Sequence, residues 1–132
     1  MEKKYLIDTN IIIYYLDDRI PEDQKEKVRK IFETSFIVST VTNIEVLGWH
    51  KITNKDRVKT EKFLSNADVI YLDKIVEDKS IELKRNYNID TPDSIIGATA
   101  KLNNLTLVTR NTADFRNIPG LKLFNPFKKQ KS

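Results

Sequence analysis

The sequence predicts an α/β fold: a three-layer sandwich with a central, mostly parallel sheet of about five strands. Three observations lead there. Strand-like runs alternate with helical ones along all 132 residues. The strands are separated by helix-length segments, not by two-residue hairpins, so the connections must cross over the sheet. Only 3 Gly and 4 Pro are present, too few for an all-β chain of tight turns. The length suits one domain. It is taken as residues 1–127, followed by a basic tail over 128–132 that is expected to fray.

Lys4–Asp8 reads as a short buried strand, followed by a helix from Asn10 to about Leu16. Pro21 is expected to open a second helix through Glu33, because proline suits a first helical turn. Val28, Ile31 and Phe32 mark its buried stripe. Phe36–Ser39 is the next strand. Thr42–Lys51 and Lys55–Ser65 are two helices parted at Thr53-Asn54. Val69–Leu72 is a third strand. Ile75–Tyr87 is a helix with Ile75, Lys79 and Glu82 on its mixed face, and Asn88 suits a left-handed cap. Thr91-Pro92 starts a helix to Leu102, ended by Asn103-Asn104. Leu105–Thr109 is a strand, Thr112–Phe115 a helical turn, and Leu121–Phe124 a last strand.

Lys and Arg total 23 against 19 Asp and Glu, a net charge of +4 with a pI near 9.2. This mild basicity suits a polyanionic partner. A hydrophobic fraction of 39% excludes a disordered chain. The absence of cysteine excludes disulfides, thiolate zinc sites and a cysteine nucleophile. The single histidine, His50, excludes histidine-rich metal sites and leaves a Ser-His-Asp triad one possible base. Asp8 interrupts Tyr5-Leu6-Ile7, so the start lacks the apolar core of a signal peptide. Ile11–Leu16 is too short to span a bilayer. A cytoplasmic protein without membrane association is expected.

Ligands of open parallel sheets bind outside the carboxyl ends of the strands. Four acids fall there. Asp8 ends the first strand, Glu45 lies early in the helix after the second, Asp93 opens the helix at Pro92, and Asp114 sits in the turn after Leu105–Thr109. Asp73, after the third strand, has the same local placement. Each acid also has a structural reading. Thr42-Asn43-Ile44-Glu45 fits a capping box, and Asp93 complements a helix dipole behind a Thr91 cap. Asn111 to Asp114 repeats that spacing, and Asp8-Thr9-Asn10 is a helix-start cluster. As a set they weigh differently, because converging carboxylates repel unless a cation sits among them. Oxygen donors without nearby cysteine or histidine suit Mg²⁺ or Mn²⁺, and such a site can hydrolyse phosphodiesters.

At these residues the sequence resembles the PIN-domain family, and within it the VapC-type toxin ribonucleases. The match runs through Leu6-Ile7-Asp8-Thr9-Asn10-Ile11 and Ser39–Trp49, which contains Glu45. It continues through Thr91-Pro92-Asp93-Ser94 to Ala100, Leu107–Phe115 and Asn125-Pro126-Phe127, in family order over nearly the whole chain. The resemblance implies a metal-dependent endoribonuclease with a central parallel sheet and Asp8, Glu45, Asp93 and Asp114 as its acidic ligands. It implies that Asn10, Thr109 and Asn111 orient those ligands or their water. It also implies Mg²⁺ or Mn²⁺ as cofactor, RNA as substrate, a homodimer, and a cognate antitoxin. Ser94 and Gly97 stand where alanine is more usual in the family; both are small enough to keep close packing.

Other residues carry weaker signals. His50, beside Trp49, suits a helix end. Trp49, Tyr14 and Tyr15 suit packing or a dimer contact better than base stacking. Asp17 and Asp18 read as a solvated helix end, and Lys84, Arg85 and the tail lysines as a solubilising run. A receiver-type signalling domain would show paired acids after the first strand and a single helix before the second. A haloacid-dehalogenase-like phosphatase would need an acid at position 10, which is Asn10. A catalytically inactive nucleic-acid-binding module should have lost a ligand, and none is lost. Within ribonucleases, a housekeeping RNA-processing enzyme is the alternative to a toxin.

Overall fold

The computed structural model describes residues 4–128. The expectations for the chain's start at Met1 and for the tail from Lys129 onward lie outside those residues. In chain order the elements are β1 (Tyr5–Ile7), α1 (Thr9–Leu16), a 3₁₀ turn (Glu22–Gln24), α2 (Lys25–Thr34), β2 (Ile37–Ser39), α3 (Thr40–Leu47) and α4 (Asn54–Leu64). They continue with β3 (Asp68–Ile70), α5 (Lys74–Tyr87), α6 (Thr91–Leu102), β4 (Thr106–Val108), α7 (Thr112–Phe115) and β5 (Leu123–Phe124). The five strands form one sheet in the order β3-β2-β1-β4-β5. Every pairing is parallel, with Leu6 opposite both Ile37 and Leu107.

Alternation along the strands splits the core in two. Ile7, Val38 and Val108 face α1 to α4, joining Ile11, Ile12, Val28, Ile31, Phe32 and Leu64. Leu6 and Leu107 face the other way, onto Val76, Leu83, Ile96 and Phe115 from α5 to α7 and onto Ile118 just beyond. Both faces of the sheet are thus covered, which is why its strands read as near-continuous apolar runs. The three-layer α/β sandwich expected from the sequence is the architecture found.

Several boundaries differ, each for a local reason. Pro21 does not begin an α-helix; it precedes the 3₁₀ turn, and α2 starts only at Lys25. Its stripe of Val28, Ile31 and Phe32 is buried as expected. Helix α3 starts earlier than Thr42 and stops at Leu47, with Gly48 as its C-cap. Ser39 caps it, its hydroxyl accepting from the Thr42 amide, so the capping box does not form. His50 and Trp49 therefore lie beyond the helix, and Trp49 is 55% exposed. On α5 the buried stripe is Val76, Ser80 and Leu83, one residue on from the face expected, and Ile75 is exposed. Asn88 closes that helix at φ 50°, the left-handed cap its residue type suits. Helix α6 takes Asp90, not Thr91, as its N-cap.

Asp73 separates from the other strand-end acids at this level. It follows the edge strand β3, and its carboxylate accepts from the Val76 amide at 2.9 Å, capping α5. Replacing it with Ala should cost about 1 kcal/mol of stability, and Asp73→Asn should retain most of it. Denaturant titration of both variants checks this; equal losses would assign the effect to charge and not to the cap.

Candidate active site

The strand order reverses between β1 and β4: the chain builds outward from β1 to β3, then crosses to the far side of β1. Such a switch point leaves a crevice at the carboxyl ends of the strands. Asp8 stands there directly after β1, and Thr109 directly after β4. They meet, Thr109 Oγ1 donating to Asp8 Oδ2 at 2.7 Å.

Asp8 is held on every side. Its Oδ1 accepts from the Thr9 amide at 2.8 Å, capping α1, and its Oδ2 also accepts from Asn10 Nδ2 at 3.0 Å. Its own amide joins the sheet through Val108 O. The residue is 4% exposed. Burial pushes its carboxyl upward despite the bonds from Thr109, Thr9 and Asn10, and Glu45 pushes in the same direction.

Glu45 is exposed and projects toward α1. Its Oε1 accepts from Thr9 Oγ1 at 2.6 Å, and the Thr42 hydroxyl lies 3.1 Å from that of Thr9. The sequence pattern had turned Glu45 back onto its own helix; the contact instead ties α3 to α1. Thr9 was missed as a positioning residue, since its pairing spans 36 positions and leaves no local signature.

Asp93 enters from the first turn of α6 and Asp114 from α7. Gly97 brings these elements together: a Cβ at that position would stand 3.2 Å from Ile118 Cδ1 and 3.8 Å from Phe115 Cδ1. The Asp93 carboxyl is pushed up to about 7, first by burial, then by the charge of Asp8. Its hydrogen bond to Asp114 and the charges of Asp114 and Asp90 add to the shift. Asp90, another residue the sequence did not single out, adds negative charge from the helix start.

The residues expected to orient the acids are in contact with them. Asn111 Nδ2 donates to Asp114 Oδ2 at 2.6 Å. It does this instead of capping α7, where no side-chain cap bond forms. Asn10 works in two directions, donating to Asp8 and accepting from the Arg110 amide at 3.1 Å. Thr109 Oγ1 accepts from the Asn111 amide at 3.0 Å while donating to Asp8. Among the described residues no three acidic side chains close around one point as a finished metal cage. The four acids nonetheless neighbour one another: Asp8 feels the charge of Glu45, and Asp93 the charges of Asp8 and Asp114.

Tyr15 packs among Phe32 and Phe63, while Tyr14 sits against Phe127 and Arg110. Among the described residues no helix is long and apolar enough to cross a membrane.

A small parallel α/β fold with carboxylates gathered at its switch point defines a class of acidic-site domains. A sequence profile described as PIN domain matches residues 5–121, and the chain belongs to the PIN-domain family, a nuclease family. Among solved structures it is similar to a toxin–antitoxin complex from Klebsiella pneumoniae, at 30% identity, covering 96% of this chain and 100% of that one, with a TM-score of 0.78. It is also similar to VapBC2 from Rickettsia felis bound to a DNA fragment from its promoter, at 25% identity, covering 92% and 97%, with a TM-score of 0.77. DNA-bound VapBC from Salmonella typhimurium is similar at 25% identity, covering 95% and 99%, with a TM-score of 0.77. A search of curated proteins gives no match.

The raised carboxyls make stability depend on pH in a definite sense. Asp93 binds its proton more tightly folded, at about 7, than unfolded, near the ordinary carboxyl value of 3.8. Its contribution is therefore complete below that value and is lost as pH rises to about 7. Asp8, also raised, acts in the same direction. In metal-free buffer the protein should lose stability across that window, and Asp93→Asn should lose less. Thermal melts from pH 4 to 8 with EDTA check this; parallel curves for the two proteins would remove Asp93 from the effect.

Proposed function

We propose that this protein is a metal-dependent endoribonuclease and the toxin of a toxin–antitoxin pair. The observation that carries this reading is the gathering of carboxylates at the switch point, with Asp8 bonded to Thr109, Glu45 to Thr9 and Asp114 to Asn111, and with burial and the charge of Asp8 raising the Asp93 carboxyl beside them. The donor set fits the ion: Asp8, Glu45, Asp93 and Asp114 supply hard oxygen and no nitrogen or sulfur, which suits Mg²⁺ or Mn²⁺. When bound, the ion would polarise a phosphodiester and lower the pKa of an attacking water. The chain's own residues do the rest. Thr9, Asn10 and Thr109 hold Asp8 in one orientation, Thr9 holds Glu45, and Asn111 holds Asp114. Asp93, in the first turn of α6, would add a further carboxylate donor.

The toxin assignment is supported by the similar structures from Klebsiella pneumoniae, Rickettsia felis and Salmonella typhimurium, which are toxin–antitoxin assemblies. A cognate antitoxin and a homodimer are part of the same proposal. The mild excess of basic residues supports an RNA substrate.

Purified protein should cleave single-stranded RNA internally with Mg²⁺ or Mn²⁺, stop with EDTA, and leave 5′-phosphate and 3′-hydroxyl ends. Asp8→Asn should lower the rate by about a hundredfold or more, the several kcal/mol that a misplaced metal costs. Thr109→Val should weaken metal binding by about 10–100-fold. Products ending in 2′,3′-cyclic phosphate, or full activity in Glu45→Gln, would overturn this assignment of roles. A small DNA-binding protein encoded directly upstream that silences the cleavage would establish the toxin role; its absence would favour a housekeeping nuclease.

A further inference from the structure

We infer that Arg110, held against the rings of Tyr14 and Phe127, seats a backbone phosphate of the RNA beside the carboxylate site, with Arg19 as a second contact on the same tyrosine. The inference rests on the nuclease reading above and adds to it how a strongly acidic crevice retains a polyanion.

The geometry is specific. Arg110 lies between Thr109, which bonds Asp8, and Asn111, which bonds Asp114. Its backbone is clamped from both sides, the amide donating to Asn10 Oδ1 at 3.1 Å and the carbonyl accepting from Asn125 Nδ2 at 3.3 Å. The guanidinium carbon stands 4.4 Å from the Phe127 ring centroid and 5.1 Å from that of Tyr14. Nη1 donates to the Tyr14 hydroxyl at 2.9 Å. The two rings contact one another with centroids 4.7 Å apart. Arg19 reaches the same tyrosine, its guanidinium carbon 5.4 Å from the centroid.

What matters is the partner these side chains lack. Arg29 and Lys25 are paired with carboxylates, Arg29 with Glu26 and Glu33, Lys25 with Asp18 and Glu22. Among the described residues Arg110 and Arg19 have no carboxylate partner. Aromatic faces and a phenol fix the Arg110 guanidinium without neutralising it. A guanidinium held so has its remaining N–H groups free for phosphate oxygens, which its planar fork matches. The placement is also electrostatically apt. The neighbouring acids repel phosphate, and a fixed cation at their rim offsets that repulsion where the backbone enters.

A fluorescein-labelled single-stranded RNA, bound to Asp8→Asn protein with Mg²⁺ present and followed by anisotropy against salt, tests the inference apart from turnover. Adding Arg110→Ala should lower affinity by about tenfold and reduce the salt slope by about 0.7, the value for one phosphate on a single strand. Arg110→Lys should restore the slope as a point charge, and Arg19→Ala should give a smaller loss. In the active protein Arg110→Ala should raise KM and leave kcat nearly unchanged. A parent that binds in this way but never cleaves would leave the phosphate contact standing and remove the nuclease reading. Cleavage with KM and salt slope unchanged in Arg110→Ala would remove the contact and leave the nuclease reading. A fall in kcat alone, or a loss that Arg110→Lys does not repair, would make Arg110 a structural residue and overturn the inference.

Discussion

The structure is organised around one buried carboxylate. Asp8 is 4% exposed in the middle of the sheet edge, where an ionised group is costly unless its oxygens are matched by donors. Three donors meet it: the first amide of α1, an amide side chain from the same turn, and a hydroxyl at the end of β4. The last of these comes from 101 positions away, so the demand of a single side chain ties the beginning of the chain to its end. The other acids arrive around that fixed point, Glu45 through Thr9, Asp114 through Asn111, and Asp93 close enough to feel the charge of Asp8.

Much of this was legible because it follows from alternation. Leu6 and Ile7 take opposite sides of the sheet, as do Leu107 and Val108, which makes two cores from dipeptides that read as plain apolar runs. The acids after the strands were legible too, since short strands place the next residue at the carboxyl edge. Strand order was not. Asp73 and Asp8 look alike in sequence, and only their places at an edge and at the centre of the sheet separate a helix cap from a member of the crevice. Glu45 misled for a similar reason. A capping box and a contact across helices use the same residues, and nothing local tells which bond forms. Ser39 already satisfies the helix start, which frees Glu45 to reach Thr9.

The segment Thr109-Arg110-Asn111 shows how densely a short loop can be used. One side chain holds Asp8, the next lies on two aromatic rings, and the third holds Asp114. Loops carry such roles well when the scaffold beneath them is rigid. Here that scaffold is β4 on one side and Phe115, fully buried, on the other. Gly97 contributes by omission, since its missing side chain lets α6 lie close to α7.

Asn10 gives Asp8 a hydrogen and takes one from the Arg110 amide, so it needs both ends of its amide. Aspartate has almost the same outline but no hydrogen to give when ionised, and it would set a second negative charge against Asp8. Exchanging one NH₂ group for an oxygen would remove the donor that Asp8 accepts from. Slow hydrolysis of that amide with age would thus set Asp8 against a second carboxylate while leaving the shape of the side chain almost unchanged.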